Sequence, residues 1–241
     1  MLLALITVVA IGLGWWIHRA REQRRVVNAV APRDAGFEYD GELGSNEFSR
    51  VLKEGKFWPP PWLVKALGID YFHTVTGIHV RNPRVLREID FQHLPHLQRL
   101  WVQRELLTDD ELAPVARIRG LRLLDVNSPA WLPTDLPETT RLGDPTLQMV
   151  SQMPSLEYVS IEGYEFTAEG VLLLANSRSL KEVTLFGCND DVDESLVTRI
   201  TSTTQLKALK VYPGNLQAIA HQRIRMEQLS RPSPPGPASA Q

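Results

Sequence analysis

Apolar residues recur along this chain on a six-place grid, L-x-x-L-x-L. Leu97, Leu100 and Val102 set it; Leu121, Leu124 and Val126 repeat it, as do Leu156, Val159 and Ile161. Leu180, Val183 and Leu185, then Leu206, Leu209 and Val211, continue it, and Val75, Ile78 and Val80 supply a sixth copy. The starts, at 75, 97, 121, 156, 180 and 206, lie 22, 24, 35, 24 and 26 residues apart. Apolar fourth and sixth places flanked by polar ones predict a short strand with one buried face. Nine and six residues ahead of four starts stand Leu112 and Val115, Leu147 and Val150, Val171 and Leu174, and Val197 and Ile200. An i, i+3 apolar pair is one face of a helix, so a helix in fixed register is expected before each of these strands. Ahead of Leu97 the pattern departs: Glu88 holds the minus-nine place, although Phe91 fills minus six.

Helix starts are marked as well. Thr108 and Glu111 form a capping box, in which hydroxyl and carboxylate serve orphan backbone N–H groups. Asp144 before Pro145 reads as a cap followed by a proline at the first helical place, and Thr167 and Asp193 read as caps of two further helices. Periods of about 20–29 residues belong to leucine-rich repeats, and only the 35-residue interval falls outside them. Its excess is assigned to an insertion at 127–143, rich in proline and turn residues. Arg99, Asp125, Glu182 and Lys210 interrupt the leucines, whereas strands covered on both faces in an ordinary α/β domain read as continuous apolar runs. The expected fold class is therefore α/β: a leucine-rich-repeat solenoid, a curved parallel sheet with helices on its convex side, plus one N-terminal transmembrane helix.

Residues 2–17 carry no charge and end on Trp15 and Trp16, with His18, Arg19, Arg21, Arg24 and Arg25 directly behind. At about 1.5 Å per residue this run makes a helix of roughly 24 Å, short for a hydrocarbon core of about 30 Å. Tryptophans favour the interface and arginines snorkel to headgroups, which suits a single-pass anchor. A cleaved signal peptide would want basic residues ahead of the run and small residues behind it, and has neither here. The arginines favour a cytoplasmic side for the rest of the chain. The expected organisation is an anchor at 2–17, a basic juxtamembrane helix or linker at 18–35 and an N-terminal cap at 36–74. About six repeats follow at 75–214, then a C-terminal cap helix at 215–229 and a proline-rich disordered tail at 230–241. Within the first cap, Gly36 to Asp40 reads as a short extended piece and Pro59 to Gly68 as prolines leading into one short helix closed by the glycine.

Composition adds exclusions. Apolar residues make up 43%, enough for a packed core, and the formal charge of −2 gives no whole-protein case for nucleic acid. The lone Cys188 excludes an internal disulfide. It stands three places after Leu185, where a small inward side chain suits the bend after a strand, and the nearby Asp190, Asp191 and Asp193 would raise its pKa. His93 and His96 lack the further ligands a zinc site needs, and the Asn189 to Asp193 stretch lacks the glycine and terminal glutamate of an EF-hand loop. No phosphate-loop, dinucleotide, nucleophile-elbow or zinc-protease motif occurs. No catalytic residue, metal, cofactor or small-molecule substrate is expected.

What remains is the sheet face opposite the leucines, where the third, fifth and seventh places point. Arg99, Trp101, Asp125, Tyr158, Glu182, Phe186, Lys210 and Tyr212 are the candidate partner-binding residues, with Trp101 near the centre. Aromatics and arginine are the usual anchors of protein interfaces. The expectation is a membrane-anchored, non-catalytic module that binds a protein. The alternative is a membrane-tethered scaffold or self-associating spacer without a dedicated ligand. A fold of the insertion, with Trp131 and Leu132, over the aromatics is the competing account of that face.

The stretch from Gly12 through Trp15, Trp16, Arg19, Arg21, Arg24 and Arg25, then Tyr39, Asp40, Trp62, Tyr71, Phe72 and the repeats, resembles bacterial membrane-anchored leucine-rich-repeat proteins. The resemblance covers most of residues 2–211 and implies a repeat scaffold without an assigned activity. Members often carry basic residues ahead of the apolar run; this chain does not. Leu180 to Cys188 also resembles the cysteine-containing repeats of ubiquitin-ligase substrate-recognition subunits. No adaptor-binding F-box segment precedes the repeats, so ligase function is not carried over.

Overall fold

The computed structural model of this protein describes residues 1–33, 35–40, 61–103, 107–127 and 142–213. Most of the expected insertion, the C-terminal cap helix and the proline-rich tail lie outside the described residues. The chain is α/β, with one seven-stranded, mostly parallel sheet and one N-terminal helix long and apolar enough to cross a membrane.

That helix, α1 (Leu2–Val30), carries both the apolar run and the basic stretch behind it. Its 29 residues make a rod of roughly 44 Å. Its first turns are exposed, but Ala20, Gln23, Val26 and Val30, three or four places apart, are buried along one face. The boundary expected near residue 17 is thus no break. One continuous helix enters the folded domain, because its second half has an apolar stripe to bury. Gln23 is the polar exception on that stripe. Its Nε2 donates to Asp70 Oδ1 (3.0 Å) and to the His73 carbonyl (2.9 Å), and its Oε1 accepts from Val75 N–H (3.1 Å). Every polar atom of the buried amide is used, and a strand-leading N–H gains an acceptor.

The sheet begins with β1 (Ala35–Tyr39), antiparallel to β2 (Val75–Val80). Between them lies α2 (Pro61–Leu67), closed by Gly68 at φ 101°. The strands β3 (Arg99–Gln103), β4 (Leu123–Asn127), β5 (Tyr158–Phe166), β6 (Glu182–Cys188) and β7 (Ala208–Pro213) then add in chain order, all parallel. All six L-x-x-L-x-L segments form strands, paired in a common register: Ile78 beside Leu100, Leu100 beside Leu124, Leu124 beside Val159, Val159 beside Val183 and Val183 beside Leu209. The helices α3 (Asp109–Leu112), α4 (Asp144–Gln152), α5 (Ala168–Leu173) and α6 (Glu194–Thr203) stand between successive strands. Leu112, Leu147, Val150, Val171 and Ile200 on these helices, and Val115 and Leu174 on the 3-10 turns Ala113–Arg117 and Leu174–Asn176 that continue α3 and α5, are buried in one apolar core with the strand leucines, at the places the spacing predicts; Val197 packs against that core partly buried.

The departing interval has its own structure, and one local expectation is corrected. Before β3 there is no α-helix but two 3-10 turns, Pro83–Arg87, capped by Asn82, and Phe91–His93, capped by Asp90. Pro83 favours a tight first turn, and Glu88, at the departing place, is exposed. Asp144 does not cap α4; Gly143 takes that place and Asp144 becomes the first helical residue. Its carboxylate is engaged elsewhere, accepting from Thr167 N–H (3.0 Å) and Thr167 Oγ1 (2.6 Å). The caps at Thr108, with its capping box, Thr167 and Asp193 form as expected.

Candidate recognition face

The sheet residues opposite the core fall into rows set by the strand register. One row runs from Glu38 through Gly77, Arg99, Leu123, Tyr158 and Glu182 to Ala208. The next runs from His79 through Trp101, Asp125, Ser160 and Thr184 to Lys210. All eight candidate residues lie on this one side, but they form two groups rather than one patch.

The first group gathers where β1, β2 and β3 meet. Glu38 Oε1 faces His79 Nε2 at 2.9 Å, and Glu38 Oε2 lies 3.1 Å from Arg99 Nη2. The carboxylate reaches Arg99 across Gly77, where a Cβ would come within 2.7 Å of Glu38 Oε2 and 3.1 Å of the Trp101 ring. Glycine is what lets acid, base and ring close over one strand. The His79 ring lies flat on Trp101, centroids 4.1 Å apart and planes 2° from parallel, and the Arg99 guanidinium sits 5.7 Å from the Trp101 centroid. A cation near an indole ring is attracted by its quadrupole. Trp101 is consequently half-buried and held in place.

The second group is at the other end. Phe186 stacks on Tyr212 at 4.7 Å and 10°. Tyr158, between the groups, is 39% exposed. Lys210 and Glu182 are exposed, and Asp125 is half-buried. The expectation of freely exposed aromatics therefore needs correcting: Trp101, Phe186 and Tyr212 are half-buried, because neighbouring strands place flat side chains of the same row within stacking distance. Glu162, also assigned outward by alternation, is buried at 7%.

Glu38, Gly77 and His79 are the members that sequence reading missed. His79 and Gly77 occupy the fifth and third places of the first grid copy, so the signal was present. Glu38 comes from an antiparallel strand outside the grid and carries no such signal.

Chemically the face offers flat aromatic surface, a positive end at Lys210 and a compact acid–base cluster. Cys188 is 3% exposed, and burial, then the charges of Asp144 and Asp191, push its thiol up to about 12 although a backbone hydrogen bond from Tyr212 opposes them. It packs as a small apolar residue. Burial and the neighbouring Asp70 raise the Tyr39 hydroxyl well above its ordinary range, so it stays a donor, to Asp70 Oδ1 at 3.2 Å. His93 lies 3.7 Å from Glu22 and 3.4 Å from Asp90, and His96 is exposed. Among the described residues, no group of three His, Cys, Asp or Glu is placed to hold a metal. Asp191 accepts from Ala168 N–H at 3.0 Å and Asp193 caps α6, so the Asn189 to Asp193 stretch serves neighbouring backbone. No protein-family model matches the chain, and no curated protein matches it.

Proposed function

We propose that the chain is a membrane-anchored leucine-rich-repeat module that binds a protein through the sheet face opposite its core, without catalysis. The observation that carries this reading is the pair of stacked aromatic groups, His79 on Trp101 and Phe186 on Tyr212, flanking the exposed Tyr158. Rings already immobilised by stacking lose little further entropy on binding, which favours them as anchors. The six grid copies in common register support the repeat solenoid. The apolar first half of α1 supports the anchor, and Arg19, Arg21, Arg24 and Arg25 support a cytoplasmic domain.

A photo-crosslinking residue placed at Tyr158 in membranes tests this, with one at Leu172 as control; Leu172 is 37% exposed but on α5. A discrete protein adduct from position 158 alone, lost on Trp101→Ala, is the expected result. Adducts only between copies of this chain, or equal labelling from both positions, would replace the reading with a self-associating scaffold.

A further inference from the structure

We propose that the edge of the sheet where the parallel strands start is a binding surface for anionic lipid headgroups of the membrane that α1 enters. The proposal rests on the anchor reading of α1 and adds an orientation and a ligand to it.

The orientation comes from the order of contacts along α1. Trp16 meets Tyr71 and Phe72 edge-on, with centroids 5.8 and 6.4 Å away, just ahead of β2. Gln23 meets His73 and the first residue of β2. Beyond α1 the chain turns through Ala31–Arg33 into Ala35, which pairs with Val80, the last residue of β2. Rising along α1 therefore means rising along β2 from start to end. The apolar half of α1 projects past the strand starts, and the strand-start edge is the part of the domain nearest the bilayer. Trp15, Trp16, Tyr71 and Phe72 mark that level, as aromatics do at a membrane interface. Trp62, on α2 of the same cap, is 69% exposed.

Charge then selects the ligand. The loops entering β4, β5, β6 and β7 carry Arg119, Arg122, Arg178, Lys181 and Lys207 against one carboxylate, Glu157. Arg122, Glu157, Arg178, Lys181 and Lys207 line a single groove. Arg122 Nη2 and Lys181 Nζ hold Glu157 at 2.8 and 2.6 Å. Arg119, Arg178 and Lys207 are exposed and have no carboxylate partner among the described residues. The opposite edge is mainly acidic: Asp109, Asp110, Glu111, Asp144, Glu169, Asp190, Asp191, Asp193 and Glu194 stand in its described loops and first helical turns, with Arg81 and Arg84 as bases beyond β2, while on the strand-start edge Asp40 and Asp70 stand only at the β1–β2 end. A domain with such polarity, tethered with its cationic edge toward a bilayer, is drawn to phosphate-bearing anionic headgroups and holds its acidic edge away. With strands about 4.8 Å apart, β4 to β7 lie roughly 10 to 24 Å from β2, within one domain's footprint on the membrane.

The test uses the full chain in lipid nanodiscs of phosphatidylcholine alone or with roughly one-third phosphatidylglycerol, read by amide hydrogen exchange with and without about 0.5 M NaCl. Slower exchange in 118–122, 178–181 and 204–207 in the anionic discs, lost in high salt and lost in Arg178→Glu with Lys207→Glu, is expected; 188–194 stays unchanged. Identical exchange in both discs, or equal protection of 188–194, overturns the proposal. Protection in phosphatidylcholine discs on adding inorganic phosphate alone would assign the groove to a soluble anion and overturn it as well. The anchor is checked separately by flotation with pure phosphatidylcholine vesicles. A chain that floats but shows no lipid-dependent protection loses only this proposal; one that does not float loses the anchor and the orientation with it.

Discussion

At the strand-end edge, carboxylates are structural parts. Asp109 Oδ1 accepts from Gly143 N–H at 3.1 Å and from Thr146 Oγ1, Asp144 accepts twice from Thr167, and Asp191 accepts from Ala168 N–H. Each loop is tied to a neighbour by a side chain. At the strand-start edge the backbone does the tying. Gln98 N–H donates to the Thr76 carbonyl at 2.9 Å, Arg122 to Gln98 at 2.8 Å, Glu157 to Arg122 at 2.9 Å, Lys181 to Glu157 at 2.8 Å and Lys207 to Lys181 at 2.7 Å. Because main-chain bonds close this ladder, the side chains at 122, 157, 181 and 207 are not required for it. The acids of one edge are explained by the fold and by the helix N-termini they adjoin. Of the bases of the other, Arg122 and Lys181 share Glu157, and Arg119, Arg178 and Lys207 are left for solvent and whatever lies beyond it.

The largest break in this contrast is expected at Asp144. Asp144→Ala removes an ionised acceptor and strands a part-buried N–H and hydroxyl of Thr167, a loss of about 1.5–3 kcal/mol for hydrogen bonds to a charged group. Denaturant unfolding of the full chain in detergent should show it, while Arg122→Ala, a partly exposed ion-pair member, should cost under about 1 kcal/mol. Equal losses would mean that the two edges are built alike.

Thr108→Ala should come next, at about 1 kcal/mol, the usual worth of an N-cap hydroxyl. Here Thr108 Oγ1 accepts from Glu111 N–H at 3.4 Å and Thr108 N–H donates to Glu111 Oε2 at 3.1 Å. Thr108→Ser should recover most of the loss in the same unfolding measurement. No recovery would show that the threonine methyl group's packing, rather than the cap, sets the value.

The parts legible in the sequence were those governed by local periodicity. The leucines at the fourth and sixth grid places, the helix pairs nine and six residues ahead, and the caps at Thr108, Thr167 and Asp193 each follow from residues a few places apart. Asp144 was misassigned because its partner Thr167 lies 23 residues on, in another loop. The Glu38 cluster was missed because β1 joins antiparallel from outside the grid. The burial of Glu162 and the stacking of Trp101 depend on what neighbouring strands place alongside, which alternation within one strand does not report. The polarity of the two edges was written in the loops throughout. It acquired meaning only with the direction of α1 along β2, a tertiary fact.

The smallest expected effect tests whether the ion pair at Glu157 belongs to the fold or to the surface. Hydrogen bonds from Lys181, then from Arg122, hold its carboxyl below the ordinary glutamate range. A carboxyl depressed in the folded state adds stability at pH above its unfolded value and loses it as pH falls through the lower folded value. Glu157→Gln should lower stability slightly near neutral pH and leave it unchanged below the folded value, which flattens the acid limb of the profile by the same small amount. Lys181 and Arg122 are partly exposed, so added salt should shrink the difference further. Asp193 supplies the contrast. The Leu196 N–H, then the Ser195 hydroxyl, lowers its carboxyl, and Asp193→Asn keeps a capping side chain while flattening the same limb. A short-range hydrogen bond resists screening, so salt should spare the Asp193 effect and diminish that of Glu157. Equal salt sensitivity would make Glu157 a cap-like structural acid and remove the distinction between the edges.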